Sequence, residues 1–202
     1  MKKSIAQHLD WTFRRITWVT MLTAIVCLLS YYLLPESYGD KNSPVETVQM
    51  FVLLAGLVVT NTARDSRNLY RFVFLVILLV LAREVNFGRT LFIFADPEDV
   101  RKFPKWSDME YGWLAHVGVA LYMVWLLVYF IRQKVWRTLC AELRSWRIPA
   151  WDSLLCCVGL AVGVIAEFVH QNLVEELGEL VLYVGGVGIL YLYSRQKLNK
   201  TE

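Results

Sequence analysis

The sequence predicts an all-α fold, a polytopic transmembrane helical bundle of about six spans that forms a single domain over residues 1–202. Of its 202 residues, 56% are hydrophobic and 19% are charged. Its apolar runs are long enough to cross a bilayer core of about 30 Å. The formal net charge of +3 is small and gives no basis for binding nucleic acid, so we expect no nucleic-acid partner.

Six apolar segments, each bounded by charges or turn residues, predict the helices in order. They lie at about residues 16–34, 45–62, 72–93, 110–131, 150–170 and 174–194. The short sequence HQNLVEELGE joins the last two, which therefore form an antiparallel hairpin. Gly159 and Gly163 on the fifth segment and Gly178 on the sixth predict close packing of this pair, because small residues let membrane helices approach.

The distribution of charge predicts the orientation in the membrane. Cytoplasmic loops accumulate Lys and Arg, and placing both termini in the cytoplasm puts 15 of the 21 basic residues on that side. The same orientation leaves 13 of the 18 acidic residues on or near the outer side. We therefore expect a multi-pass protein of the cell inner membrane with both termini cytoplasmic.

The residue patterns of two segments predict helices that lie along the membrane surface. In the cytoplasmic segment 132–149, Trp136, Leu139 and Leu143 recur at helical spacing while the arginines fall mostly elsewhere. Such an amphipathic helix suits an anionic inner leaflet. We expect the N-terminal residues 1–15 to form a second interfacial amphipathic segment.

Charged and amide side chains interrupt the outer halves of the second and third segments. Glu46 and Gln49 lie three residues apart, on one helical face. Arg83, Glu84 and Asn86 follow an apolar run, roughly 17 to 21 Å along their helix at 1.5 Å per residue. A charge inside lipid costs at least about 2.5 kcal/mol, so these groups should face one another or a wet cavity.

The last three segments place further polar residues at the same depth. They are His116, Glu167, His170, Glu175, Glu176, Glu179 and Tyr183. Five of the six segments thus contribute polar groups to one level of the membrane, while their inner halves are almost purely apolar. This pattern predicts one shared pocket of Glu, His and Arg side chains in the outer leaflet, open to the outer face.

One hypothesis for this pocket is a metal site formed by His116, His170 and Glu167. Glu167 and His170 have the Glu-x-x-His spacing of carboxylate-bridged di-metal bundles, although such bundles usually carry the motif twice. Two imidazoles and a carboxylate suit zinc or iron with an open coordination position. One of the remaining glutamates would then act as general base on a metal-bound water.

A metal-free hypothesis uses the same pocket for acid–base chemistry on a lipid-like substrate. Crowded carboxylates in a low-dielectric site suit general acid or base catalysis. The catalytic candidates are Glu84, Glu167 and Glu179. Arginines bind phosphate or carboxylate groups through forked hydrogen bonds. The candidate substrate-binding residues are Arg83, Asn86, Arg89, Glu46 and Gln49. An enzyme of this kind would be a lipid hydrolase or transferase at the outer leaflet.

The alternative is a non-catalytic membrane accessory or interaction protein, in which the same charges form a structural network of salt bridges. It would associate with membrane lipids and form a homo-oligomer or join a partner membrane subunit. A monomeric conduit is disfavoured, because no polar route continues through the inner leaflet. A pore shared among subunits stays open.

Overall fold

A computed structural model describes residues 9–39, 43–63, 66–85, 87, 112–145 and 148–196. Within them the chain forms seven α-helices, two two-residue strands and one 3₁₀ turn. The helices are α1 Arg15–Leu33, α2 Pro44–Thr62, α3 Arg67–Glu84, α4 Gly112–Arg132, α5 Val135–Ser145, α6 Ala150–Phe168 and α7 Asn172–Gln196. The turn is Glu36–Gly39, and strands β1 Leu9–Asp10 and β2 Ile148–Pro149 pair in parallel.

Four of these helices are long and apolar enough to cross a membrane, which confirms a helical protein with transmembrane segments. They are α1, α2 together with the turn before it, α4 and α6. Their apolar side chains are widely exposed on the outside of the bundle, as Leu22, Leu121 and Ile165 illustrate. The other two long helices, α3 and α7, carry most of the charged residues discussed below.

The third helix differs from its predicted segment, 72–93. It begins earlier, at Arg67, because arginine and asparagine propagate a helix although they are not apolar. It ends at Glu84, and the next residues in the sequence, VNFG, have a turn-forming composition. The helix therefore does not continue past Glu84 as predicted. Residues 88–93 lie outside the described part of the chain.

Helix α7 occupies the centre of the bundle, where it packs against α1, α2 and α6. Its contact with α6 is the closest, because glycines bring the two backbones together. A Cβ atom on Gly178 would lie 2.7 Å from the Gly163 nitrogen, and one on Gly159 would lie 2.8 Å from the Gly178 oxygen. The tight pairing predicted from these glycines is confirmed.

A buried carboxylate ties α1 to the start of α6. Asp152 is 1% exposed and accepts hydrogen bonds from the hydroxyls of Thr17, at 2.8 Å, and Thr20, at 3.3 Å. It lies in the first turn of α6, where the helix dipole stabilises a negative charge.

The N-terminal segment is not helical over residues 9–14, so the helix expected over residues 1–15 is wrong there. The Asp10 carboxylate accepts hydrogen bonds from Thr12 and from Arg14, the latter at 2.6 Å, and the Thr12 hydroxyl holds the pKa of Asp10 below its usual range. Such local bonds compete with helix formation. Residues 1–8 lie outside the described range.

A short amphipathic helix does form within residues 132–149. It is α5, in which Val135 is fully buried while Trp136 and Arg137 are exposed.

The glycine contacts predict that Gly178→Ala lowers the stability of the protein by about 1–3 kcal/mol, because the added methyl group overpacks against the backbone of α6. Gly186→Ala is the matched control, since a Cβ atom at Gly186 has no neighbour within 4 Å. Thermal unfolding in detergent compares the two variants. Equal midpoints for both would contradict close backbone packing of α6 and α7.

Candidate functional site

Three glutamates converge where the end of α3 meets the start of α7. Glu84 is the last residue of α3, and Glu176 and Glu179 lie one turn apart on α7. Each offers a carboxylate oxygen, and these oxygens all lie within 4.8 Å of one another. We call Glu84, Glu176 and Glu179 the carboxylate cluster. Glu84 is only 6% exposed, so the cluster extends into the interior.

Tyr183 and Arg83 hold two members of the carboxylate cluster in place. The Tyr183 hydroxyl is 2.8 Å from Glu84 Oε1 and 3.2 Å from Glu179 Oε2. Its single proton can serve one carboxylate at a time. Arg83 Nη2 donates to Glu179 Oε1 at 2.8 Å. Arg83 and Glu84, adjacent in sequence, thus find different partners on α7.

Helix α2 forms a third wall beside the carboxylate cluster. Ser43 caps this helix by accepting a hydrogen bond from the Glu46 backbone nitrogen at 3.2 Å. The Glu46 side chain is buried and interacts electrostatically with Glu84 and Glu176. Gln49 is fully buried, and its Nε2 donates to the Glu176 backbone oxygen at 2.7 Å.

Two buried oxygen atoms of this site have no hydrogen-bond partner among the described residues. They are Gln49 Oε1 and Glu176 Oε2. A buried polar group without a partner costs about 1–3 kcal/mol. The site is therefore rich in acceptors and short of donors.

A cavity of about 430 Å³ opens between α3, α6 and α7, next to the carboxylate cluster. Its polar end is formed by Arg83, Glu167, Glu179 and Tyr183. Its remaining wall is apolar or glycine, with Val80, Gly159, Leu160, Gly163, Val164 and Leu182. The cavity thus has a charged end and a hydrophobic groove.

The structure brings together five of the predicted site residues and separates others. Arg83, Glu84, Glu179, Glu46 and Gln49 lie in or beside the carboxylate cluster, as described above. Glu167 is exposed and lines the cavity instead. Asn86 and Arg89, predicted to bind substrate, lie outside the described residues.

The predicted metal ligands His116, His170 and Glu167 do not come together. Helix α6 ends at Phe168, and His170 adopts a left-handed conformation with φ of 58°. Glu167 and His170 therefore do not share one helical face, which corrects the premise of the Glu-x-x-His interpretation. His116 is exposed on α4. Among the described residues, the group with ligand-like spacing is the carboxylate cluster, which contains no histidine.

Glu176 received no specific role from the sequence, although it is central to the site. Its spacing of three from Glu179 indicates a shared face, which is the signal that points to it. The sequence does not indicate which of the neighbouring residues, Glu175 or Glu176, turns toward α2.

Comparisons of the chain with protein-family models, with curated proteins and with solved structures find no match. The geometry of the site is therefore the basis for assigning a function to this chain.

The bridging hydroxyl predicts that Tyr183→Phe destabilises the protein by about 0.5–2 kcal/mol, because Glu84 and Glu179 lose a donor inside the bundle. Tyr191→Phe is the control on the same helix, since the Tyr191 ring is partly exposed and stacks with Arg195. Unfolding midpoints in detergent measure both effects. A midpoint for Tyr183→Phe equal to that of Tyr191→Phe would show that the hydroxyl bridge carries no stability.

Proposed function

We propose that this protein is a multi-pass protein of the cell inner membrane that binds a lipid-like molecule in the cavity between α3, α6 and α7. The observation that carries this proposal is the two-ended form of the cavity. Its polar end lies beside the carboxylate cluster, and its hydrophobic groove runs along α6 toward the exposed apolar surface. A volume of about 430 Å³ is within the usual range for small-molecule sites.

The polar end has groups for a head group that carries both anionic and cationic or hydroxyl parts. The Arg83 side chain is 58% exposed although it pairs with Glu179, so its remaining donors are accessible to a phosphate or carboxylate. Glu167 and Glu179 offer acceptors for ammonium or hydroxyl groups. An acyl chain would lie against Leu160, Val164 and Leu182, which line the apolar part of the cavity.

We propose six spans with both termini in the cytoplasm. The six long helices follow one another through short connections where the structure describes them, and the basic residues favour this orientation. In this arrangement the carboxylate cluster and the cavity lie in the outer leaflet. Helix α5 lies on the inner membrane surface, with its arginines toward anionic head groups.

Catalysis on the bound lipid is one extension of this proposal. Glu167 and Glu179 both line the cavity, so either could act as general acid or base in a hydrolase or transferase. Glu84 contacts Glu179 only through Tyr183 and would act by positioning. An enzyme would be supported if lipid incubated with the wild-type protein is converted to product and lipid incubated with Glu167→Gln is not.

The second candidate function is that of a non-catalytic accessory protein. The bonds of Arg83 to Glu179 and of Tyr183 to Glu84 favour it, because they fasten α3 to α7 as a structural network would. In that case charge-neutral variants should lower stability and recovery of a partner membrane subunit, without loss of any lipid-dependent activity.

The cavity predicts that Val164→Trp reduces bound lipid several-fold, because the indole fills the hydrophobic groove. Ile165→Trp is the matched control, since Ile165 is the next residue on α6, is exposed and does not line the cavity. Native mass spectrometry of protein purified in mild detergent measures retained lipid. Equal retention by the two variants would contradict lipid binding in this cavity.

The topology predicts opposite accessibility for two exposed positions. A membrane-impermeant maleimide should label Ser37→Cys, in the Cys140→Ser background, when added to intact cells with a permeabilised outer membrane. It should label native Cys140, which is exposed on α5, only after the inner membrane is opened. Labelling of Cys140 from outside would contradict the proposed orientation.

A further inference from the structure

We infer that the carboxylate cluster, together with Gln49, forms a binding site for a hard divalent cation of about the size of Ca²⁺. This inference does not depend on lipid binding, because Glu84, Glu176 and Gln49 do not line the cavity. It also differs from a zinc or iron site, because its ligands are all oxygen atoms.

The spacing of the oxygens fits one shared cation. Oxygens that bind Ca²⁺ at about 2.3–2.6 Å can be up to about 5 Å apart on opposite sides of the ion. The three carboxylates offer oxygens within 4.8 Å of one another. Mg²⁺ requires near-ideal octahedral geometry and usually keeps several waters, whereas Ca²⁺ accepts irregular sets of protein oxygens. Ca²⁺ is therefore the first cation to test.

The two buried oxygens without a hydrogen-bond partner indicate a positively charged ligand. Gln49 is completely buried, and its Nε2 is already used on the Glu176 backbone, which fixes the orientation of the amide. The Gln49 amide also interacts with the Glu176 carboxyl group. Gln49 Oε1 and Glu176 Oε2 both remain without a donor. Two acceptors of this kind are satisfied together by a cation, and amide and carboxylate oxygens are the ligands that Ca²⁺ takes.

The charge balance favours the same conclusion. Glu46 adds a fourth carboxylate within electrostatic reach of Glu84 and Glu176. Among the described residues, Arg83 is the cation paired with this group, and much of its side chain is exposed. A divalent ion would neutralise most of the excess negative charge inside the bundle, where water screens it poorly.

A zinc or iron site at the histidines would be separate from this oxygen site. The experiment therefore also uses Zn²⁺ and the variant His170→Ala. Hard, oxygen-only sites select Ca²⁺, Mn²⁺ or Mg²⁺, whereas imidazole favours zinc and iron. The two classes of site are therefore separable by the preferred ion and by the variant that abolishes binding.

The experiment is titration of the chelator-treated, full-length protein in detergent with Ca²⁺, Mn²⁺, Mg²⁺ and Zn²⁺, followed by calorimetry and by the shift of the unfolding midpoint. We expect one Ca²⁺ per chain and a midpoint that rises with Ca²⁺ concentration. Glu176→Gln should weaken Ca²⁺ binding at least tenfold. Glu167→Gln and His170→Ala should leave it unchanged, since neither residue belongs to the carboxylate cluster.

Further measurements keep the inference falsifiable. If Glu176→Gln does not fold, Glu84→Gln removes a different ligand of the same site and should have the same effect. Equal Ca²⁺ binding by wild type and Glu176→Gln would overturn the site. Stabilisation by acid alone, with no Ca²⁺ bound, would also overturn it, because a proton would then satisfy the two oxygens that lack partners. Zinc binding lost in His170→Ala with no Ca²⁺ binding would also overturn it. Val164→Trp should still bind one Ca²⁺ per chain, because Val164 does not belong to the carboxylate cluster, so failure of lipid binding and failure of cation binding are distinguishable.

Discussion

The backbone contact between α6 and α7 is the interaction on which the rest of the structure depends. Gly159, Gly163 and Gly178 bring the two backbones into van der Waals contact, which restricts the relative height and rotation of the helices. Helix α7 also packs against α1 and α2, so the contact between α6 and α7 fixes where α6 lies relative to those two helices. Glu176, Glu179 and Tyr183 project from that same helix. The glycines therefore place the polar groups of the site.

The two buried polar centres of the bundle are satisfied to different degrees. Asp152 receives two hydroxyl bonds, from Thr17 and Thr20, and lies in the first turn of a helix, which favours its charge. These contacts join α1 to α6, and Thr17 is the closer donor, since the single Thr20 hydroxyl proton is also within reach of the Ile16 backbone oxygen at 3.2 Å. The carboxylate cluster combines several carboxylates with few donors and leaves two oxygens orphaned. That imbalance is why the carboxylate cluster, and not Asp152, is the candidate for function.

The sequence predicted most of the helices because apolar runs of this length have few alternatives in a membrane. It also predicted that Arg83, Glu84 and Glu179 lie at one level of the bundle, because helical rise is constant. It did not predict rotation about the helix axes, which depends on contacts between helices. His116 and Glu167 consequently lie at the expected positions along their helices, but both are exposed and neither belongs to the carboxylate cluster. The end of α6 at Phe168, with His170 in a left-handed conformation, likewise depends on how the chain turns into α7.

Glu179 connects the two proposed sites, since it belongs to the carboxylate cluster and also lines the cavity. Its Oε1 holds Arg83, and its Oε2 is near the Tyr183 hydroxyl. A divalent cation bound to Glu179 would compete with Arg83 for the same negative charge and release guanidinium donors toward an anionic head group. The coupling is reciprocal by linkage, so an anion on Arg83 would in turn strengthen the hold of the cluster on the cation. If both proposed sites are occupied, the shared Glu179 carboxylate would couple lipid binding to cation binding.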